Sequence, residues 1–314
     1  MAGIRSGVAR VPSNIHSDPI LVGGCPSTGT TLLRAILDSH SRIACGPEVG
    51  IFDREIIYRE KFSFFRTLIQ AGEEIRKLRF RVKGNNNKEI NLLACVLNAS
   101  SRFPAATNFG SGEGMGLRNY VDDWALVVAL SNMAESYEAF FDGIFGEYAR
   151  RQGKARWAEK TPDNVYQFEL CLQQFPKFRL VHIIRHPLDT VASQVNRPFH
   201  PIPFSIALPR YSEAIYQAVH CRGHERYHEI RYEDLVTEPE TVLRGLMEFI
   251  GEEFEPGVLS FYSKKRTGTR GYGEKPLTVQ SIGRWKRDLS PEQQETAKDY
   301  FGKHRIAEWA GYEL

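Results

Sequence analysis

The 314-residue sequence predicts an α/β fold in three layers, with helices on both faces of a central parallel sheet. Three observations support this prediction. Short apolar runs typical of buried strands alternate with helical patterns along much of the chain. A glycine-containing turn, residues 24–31, directly follows the first apolar run and opens a helical pattern. The composition, 42% hydrophobic and 25% charged, is that of an ordinary globular chain.

The first strand, residues 20–23, leads into the turn GCPSTGTT at 24–31 and then into a helix that runs to about Asp38. This strand–turn–helix context and spacing predict a phosphate-binding P-loop. Its glycines let backbone N–H groups point inward, and the helix N-terminus adds partial positive charge. Thr30 stands where a nucleotide hydrolase has its lysine. The loop therefore predicts a bound phosphate but argues against γ-phosphoryl transfer with Mg²⁺.

A short strand ending in a turn is predicted at residues 43–48, and residues 1–18 read as a loose leader. Residues from about 51 to 155 show mainly helical patterning, so we expect a helical insertion there. Within it, residues 137–148 place aromatic and aliphatic side chains at helical spacing. We assign this aromatic stripe to the core rather than to a ligand cage.

After the insertion, the alternation of strands and helices resumes, and we expect a single domain over residues 1–314. Ser290 begins a capping-box pattern, which predicts the start of the last helix. The other predicted elements are a helix from about Asn164 to Phe175, a strand at 179–184, a helix carrying Val191 and Val195, a helix over about 205–222 and a strand at 227–230.

Composition excludes several classes of function. The net charge of +3 does not favour a general nucleic-acid binder. Five cysteines without a CxxC pair favour a reducing compartment and no structural zinc. No apolar run approaches the ~20 residues that span a bilayer, and the N-terminal residues lack a hydrophobic signal core. We therefore expect a cytoplasmic protein without a membrane or nucleic-acid partner.

A second phosphate site is predicted where the strand at 179–184 ends. Arg185 leaves this strand, and Ser193 lies two turns into the next helix. Because ligands bind at the carboxyl ends of parallel strands, the guanidinium and the hydroxyl are placed to hold a phosphate. Two phosphate sites suggest a 3′,5′-bisphosphorylated adenosine rather than ATP. The alternative is that Arg185 forms a structural ion pair with Asp189.

These segments resemble, in order, the motifs of sulfotransferases that use 3′-phosphoadenosine 5′-phosphosulfate (PAPS). The resemblance is to the tyrosylprotein sulfotransferase-like branch and related bacterial enzymes, and it implies a P-loop-like three-layer α/β/α fold. The matching segments are PSTGTT at 26–31, the run from Thr31 to CGPE at 45–48, EKTP at 159–162, Arg185 with Ser193, YEDL at 232–235 and SIGRW at 281–285.

The resemblance implies transfer of a sulfuryl group from PAPS to a hydroxyl acceptor by in-line displacement, with PAP as the product and no metal required. It implies that Glu48 is the general base and that Lys160 stabilises charge on the sulfonate and the departing phosphate. The implied donor-binding residues are Pro26, Ser27, Thr28, Gly29, Thr30, Thr31, Arg185, Ser193, Tyr232, Ser281, Arg284 and Trp285.

One position departs from the family pattern. The family usually has Arg or Lys where this chain has Ser27, and that cation contacts the phosphosulfate. We expect Lys160 or Arg34 to supply the charge instead.

Several alternatives stay open at this point. The alternative role of Glu48 is to cap the N-terminus of a helix over residues 50–58, and His200 is a competing base. His182 is assigned to the core and His186 to shaping a turn. A P-loop kinase or ATPase and a non-catalytic nucleotide-binding relative are the alternative functions. The acceptor is a sugar, a phenol, a peptide tyrosine or a carrier-bound hydroxyl.

Overall fold

The computed structural model describes residues 18–49, 66, 70, 120–121, 124–198, 201–266 and 275–314. Its centre is a five-stranded sheet with the order β2-β3-β1-β4-β5. Every pair of neighbouring strands in this sheet is parallel. The predicted parallel α/β fold is therefore confirmed. The strands are β1 (Ile20–Gly23), β2 (Ile43–Cys45), β3 (Arg156–Lys160), β4 (Arg179–Ile184) and β5 (Tyr227–Arg231).

Helices pack on both faces of the sheet, and short 3₁₀ segments cover residues 162–167, 256–263 and 279–281. The α-helices of the described residues are α1 (Thr30–Ser39), α2 (Trp124–Met133), α3 (Tyr137–Arg151), α4 (Phe168–Gln174), α5 (Pro187–Val195), α6 (Phe204–Cys221), α7 (Tyr232–Thr237), α8 (Pro239–Ile250), α9 (Trp285–Asp288), α10 (Pro291–Lys303) and α11 (Ile306–Ala310).

The two central strands, β1 and β4, are apolar runs buried on both faces. Successive side chains of a strand point to opposite faces, so each strand feeds two cores. Leu21 and Leu180 pack with α3 to α6 on one face. Val22 and Val181 pack with α1 and α8 on the other face. These two apolar clusters make the molecule a three-layer structure and place the carboxyl ends of the strands along one edge.

The aromatic stripe of α3 lies in the core, as predicted. Phe140, Phe141 and Phe145 are buried, and Ser136 caps the helix by accepting a hydrogen bond from the backbone N–H of Ala139. Helices α2 and α3 confirm the helical character of the insertion over residues 124–151. The remainder of its first two thirds, apart from residues 66, 70 and 120–121, lies outside the described residues.

Among the strands of the described residues, β3 is the one that was not predicted from the sequence. Its five residues, RWAEK, are all buried although three of them carry charge. Arg156 donates to the carbonyl oxygens of Asp18 and Ile250 and pairs with Glu252. The helix predicted from Asn164 to Phe175 is divided into a 3₁₀ turn and the shorter α4, because Pro162 starts the turn directly after β3.

Candidate active site

The loop between β1 and α1 is held open by two residues with left-handed backbone. Ser27 has φ 78° and Gly29 has φ 109°. A Cβ on Gly29 would lie 2.7 Å from the ring of Tyr232, so the position requires glycine. The side chain and the N–H of Thr28 both donate to the carbonyl of Cys25, at 2.8 and 3.1 Å. The loop is a fixed turn that leads directly into α1.

The N-terminus of α1 points at the space enclosed by this loop. Its N-cap residue, Gly29, has no side chain to accept a hydrogen bond from the first N–H groups of the helix. Unpaired N–H groups at a helix N-terminus, together with the helix dipole, favour an anion. The predicted phosphate loop therefore has the local geometry that phosphate binding requires.

Lys160 connects this loop to Glu48. It is the last residue of β3, next to β1 in the sheet, and only 1% exposed. Its ammonium pairs with the carboxylate of Glu48 and lies 3.3 Å from the hydroxyl of Thr31. Glu48 follows β2, and its side chain is 26% exposed. The structure thus brings the base and the lysine that the resemblance implies to one point beside the loop. The helix over residues 50–58 that Glu48 was alternatively expected to cap lies outside the described residues.

Arg185 lies on the other side of the loop, at the end of β4. Its guanidinium donates to the carbonyl oxygens of Ser27, at 3.2 Å, and of Ser281. It also stacks over the ring of Tyr232, 4.6 Å from the ring centroid. Arg185 is only 4% exposed, and burial lowers the pKa of its guanidinium. Its Nε has no hydrogen-bond partner among the described residues. Ser193 is half-buried on α5, the helix that follows.

The segment 281–285 is fastened to α5 through Asp189. The carboxylate of Asp189 accepts hydrogen bonds from the backbone N–H groups of Gly283, at 2.8 Å, and Trp285, at 3.0 Å. The alternative that Arg185 pairs with Asp189 is wrong, because Arg185 makes no ion pair within the described residues. The indole of Trp285 stacks on His186 with an interplanar angle of 3°.

Arg284 is paired with a carboxylate close to it in the chain. Its guanidinium forms an ion pair with Asp288 on α9, with 2.7 Å between the nitrogen and the oxygen. It lies in the segment that joins Ser281 to Trp285, so it remains close in the chain to the loop carbonyl that Arg185 contacts. The structure thus assembles residues 26–31, Arg185, Tyr232 and Ser281, and leaves Arg284 paired at the rim.

The sequence analysis missed Arg197. Its Nε donates to the hydroxyl of Ser27 at 3.0 Å, so a guanidinium stands at the position that lacks the family cation. Lys160 contacts the far end of the loop instead. Arg34 is buried and donates to the carbonyl of Cys45 at 3.2 Å. No local spacing indicated this contact, because Arg197 lies beyond the end of α5 at Val195.

The histidines weighed as bases have structural partners where they are described. His182 is a core residue, as predicted: its Nδ1 lies 2.8 Å from the hydroxyl of Tyr227, and burial lowers its pKa to about 4. The Nε2 of His186 lies 3.1 Å from the carbonyl of Glu313, and burial lowers the pKa of its ring. His200 lies outside the described residues.

Across the part of the chain that the structure describes, no group of three or more His, Cys, Asp or Glu side chains is arranged to hold a metal ion. Over the same residues, no helix has both the length and the apolar character needed to cross a bilayer.

Comparison with known proteins decides the family. A sequence model described as "Sulfotransferase family" matches residues 19–108 and 113–256. The chain belongs to the sulfotransferase family. A second model, described as a sulfotransferase domain, matches residues 205–309 of the chain. The resemblance drawn from the motifs is confirmed.

Individual relatives are distant. The chain is 23% identical over 287 residues to protein-tyrosine sulfotransferase 2 of Gallus gallus, a match that covers 85% of this chain and 62% of that protein. The chain therefore spans less than two thirds of the length of this relative.

Solved structures show the same fold. The sulfotransferase domain of the Synechococcus PCC 7002 olefin synthase superimposes with a TM-score of 0.58 at 19% identity, covering 97% of this chain and 98% of that one. A mouse sulfotransferase solved in complex with PAP gives a TM-score of 0.50 at 12% identity, covering 95% of this chain and 89% of that one.

Proposed function

We propose that this chain transfers the sulfuryl group of PAPS to a hydroxyl acceptor. The observation that carries the proposal is the state of Arg185. Its guanidinium is buried and faces neutral carbonyl oxygens rather than a carboxylate, and one of its N–H groups has no partner among the described residues. A buried cation without an ion-pair partner is costly, so the site fits an anionic ligand.

The residues around the loop fit the two charged ends of the donor. Residues 27–31 and the N-terminus of α1 would hold the phosphosulfate end, with Arg197 beside Ser27. Arg185 and Ser193 would hold the 3′-phosphate, and Tyr232 would pack against the nucleoside. The segment 281–285, fastened by Asp189, would close over it. The mouse relative solved with PAP supports this choice of nucleotide.

Glu48 and Lys160 have different roles in the proposed reaction: Glu48 is the general base, and Lys160 stabilises the leaving group. Glu48 takes the proton of the acceptor hydroxyl while the acceptor oxygen forms its bond to sulfur, a contribution of ~10²–10⁴ in rate for a general base. The bond between sulfur and the bridging oxygen of the 5′-phosphate breaks, and its electron pair stays on the phosphate. Lys160, within reach of Thr31, stabilises the charge that develops there. A buried ammonium does this without waiting for solvent to reorganise.

The test is Glu48→Gln, which keeps the shape of the side chain and removes the base. We expect transfer of labelled sulfate from PAPS to be abolished, because the amide accepts no proton at neutral pH. The melting temperature should still rise with PAP, since ligands that bind only the folded state stabilise it. Turnover at the wild-type rate would refute the base role. A larger shift with ATP and Mg²⁺ than with PAP would favour a kinase or ATPase instead.

The acceptor class is part of the proposal. The Gallus gallus relative is named for protein tyrosine, so tyrosine peptides are the first acceptors to screen, followed by phenols, sugars and carrier-bound hydroxyls. The free cysteines at positions 25, 45, 171 and 221 support a reducing, cytoplasmic compartment.

A further inference from the structure

A carboxyl group without a role in this mechanism lies next to Lys160. Glu159 is the fourth residue of β3 and is 0% exposed. Because neighbouring residues of a strand point to opposite faces, its side chain leaves the sheet on the side away from that of Lys160. It is therefore not a part of the Lys160–Glu48 ion pair.

Three hydrogen-bond donors surround the carboxylate of Glu159. The hydroxyl of Thr161 donates to Oε1 at 2.6 Å, and the amide of Asn164 donates to Oε2 at 2.6 Å. The backbone N–H of Val49 lies 3.3 Å from Oε1 and 3.2 Å from the hydroxyl of Thr161. Val49 directly follows Glu48. The carboxylate thus fixes the backbone one residue from the base.

The same network extends to the strand that carries the phosphate loop. The amide of Asn164 also donates to the carbonyl of Val22, at 3.0 Å, near the end of β1. Through Asn164, Glu159 therefore connects the segment of the base to the strand from which the loop starts. Three hydrogen bonds thus join the backbone at Val49 to the carbonyl of Val22 through Glu159 and Asn164.

The arrangement is not explained by stability. Burial raises the pKa of Glu159 to about 7, so its ionised form is held in an unfavourable place. All three neighbours are donors, however, and an ionised carboxylate has acceptor sites for all of them on its two oxygens. Buried charged networks that cost stability occur where a unique geometry is needed.

We propose that Glu159 is a positioning residue, which holds the backbone at Val49 and thereby keeps Glu48 aligned with Lys160 and the phosphate loop. This inference rests on the proposed function, in which Glu48 is the base. We expect its contribution in the chemical step, because its own contacts are Thr161, Asn164 and Val49 and not residues 27–31, Arg185 or Ser193, which are assigned to the nucleotide.

The first test is Glu159→Gln. The amide nitrogen of glutamine would face the amide nitrogen of Asn164, donor against donor, so the network must rearrange. We expect kcat to fall about 10- to 100-fold, the cost of a misplacement of about 1 Å at a reacting group. The dissociation constant of PAP should stay within about twofold and the melting temperature should not fall, as no buried charge remains. If Glu159 had only a structural role, the melting temperature would fall and kcat would stay near the wild-type value.

Asp142→Asn is the matched control. Asp142 is also a carboxyl whose pKa burial raises, and it accepts a hydrogen bond from the indole of Trp157 on the same strand, at 2.8 Å. It lies outside the Glu159 network. We expect its kcat to remain at the wild-type value.

Thr161→Val and Thr161→Ser provide a second pair, which decides the matter if Glu159→Gln does not fold. Valine removes the hydroxyl between Val49 and Glu159 and should lower kcat, whereas serine keeps the hydroxyl and should leave kcat near the wild-type value.

A kcat within threefold of wild type in both Glu159→Gln and Thr161→Val, or parallel losses of kcat and PAP binding, overturns the inference. If Glu48→Gln also turns over normally, the base assignment itself has failed. If only Glu48→Gln is inactive, the base stands and the positioning role falls.

Discussion

At the scale of single residues, position 27 lacks the cation of the family pattern, and residues outside the loop at 24–31 supply the positive charge. Ser27 carries no cation, yet the guanidinium of Arg197 lies 3.0 Å from its hydroxyl. The loop backbone at this position also accepts a hydrogen bond from Arg185. Two guanidinium groups from the segment after β4 therefore converge on Ser27, and neither comes from the loop itself.

We predict that Arg197→Ala raises the dissociation constant of PAP by at least about tenfold, because a charge-assisted hydrogen bond is worth roughly 1.5–3 kcal/mol. Ser27→Arg in the Arg197→Ala background should recover most of this loss, since it returns a cation to the same place. Titration calorimetry measures both. Arg244→Ala, which breaks a surface ion pair with Glu240, is the control. Unchanged PAP affinity in Arg197→Ala would remove this residue from the donor site.

At the scale of elements, the sequence predicts those helices and strands whose local residue pattern directly reflects their burial in the fold. β1 and β4 are apolar on both faces because the central strands of a parallel sheet are covered on both sides, and both were predicted. The capping box at Ser290 was likewise predicted, and Ser290 and Gln293 form it in the structure. Local chemistry was sufficient in these cases.

β3 could not be predicted in this way. Its charged residues are buried with partners that lie far away in the chain: Asp18 and Ile250 contact Arg156, and Val49 contacts Glu159. Asp189 illustrates the same limit. Its position suggested a partner for Arg185, but its carboxylate holds backbone N–H groups almost a hundred residues later in the chain. Hydrogen bonds between residues far apart in the chain depend on the topology of the fold, which the spacing of neighbouring residues does not predict.

The segment 281–285 yields a prediction at this scale. In Asp189→Asn, one of the two backbone N–H groups of the segment would face an amide nitrogen instead of an oxygen. We expect the segment to hold less firmly, so that PAP dissociates faster, by about tenfold, while its association rate changes little. Stopped-flow displacement of PAP measures the two rates. Asp163→Asn, which breaks the exposed ion pair to Arg210, serves for comparison. Equal dissociation rates in the two variants would contradict this account.

At the scale of the whole molecule, two buried groups oppose each other as the pH changes. The folded pKa of Glu159 is raised from 4.5 to about 7, so its contribution to stability is fully present below pH 4.5 and is lost as the pH rises through 7. The folded pKa of His182 is lowered from 6.5 to about 4, so its contribution is present above pH 6.5 and is lost as the pH falls through 4. Over the overlapping range the two effects offset each other.

Glu159→Gln separates them. Glutamine does not titrate. The free energy of unfolding of the variant minus that of wild type should therefore increase by about 3 kcal/mol between pH 4.5 and neutral pH. His182 contributes equally to both proteins and cancels in the difference. Urea denaturation at several pH values measures the two free energies. A difference that does not vary with pH would mean that Glu159 titrates normally in the folded protein.

Residues 24–31 and 281–285 meet at Arg185 although most of the chain lies between them. During synthesis at about 5–20 residues per second, the second segment leaves the ribosome on the order of ten seconds or more after the first. For that period a nascent chain has residues 24–31 but not the segment that meets them at Arg185. On the proposed function, a fragment that lacks residues 281–285 should release PAP faster than the full chain.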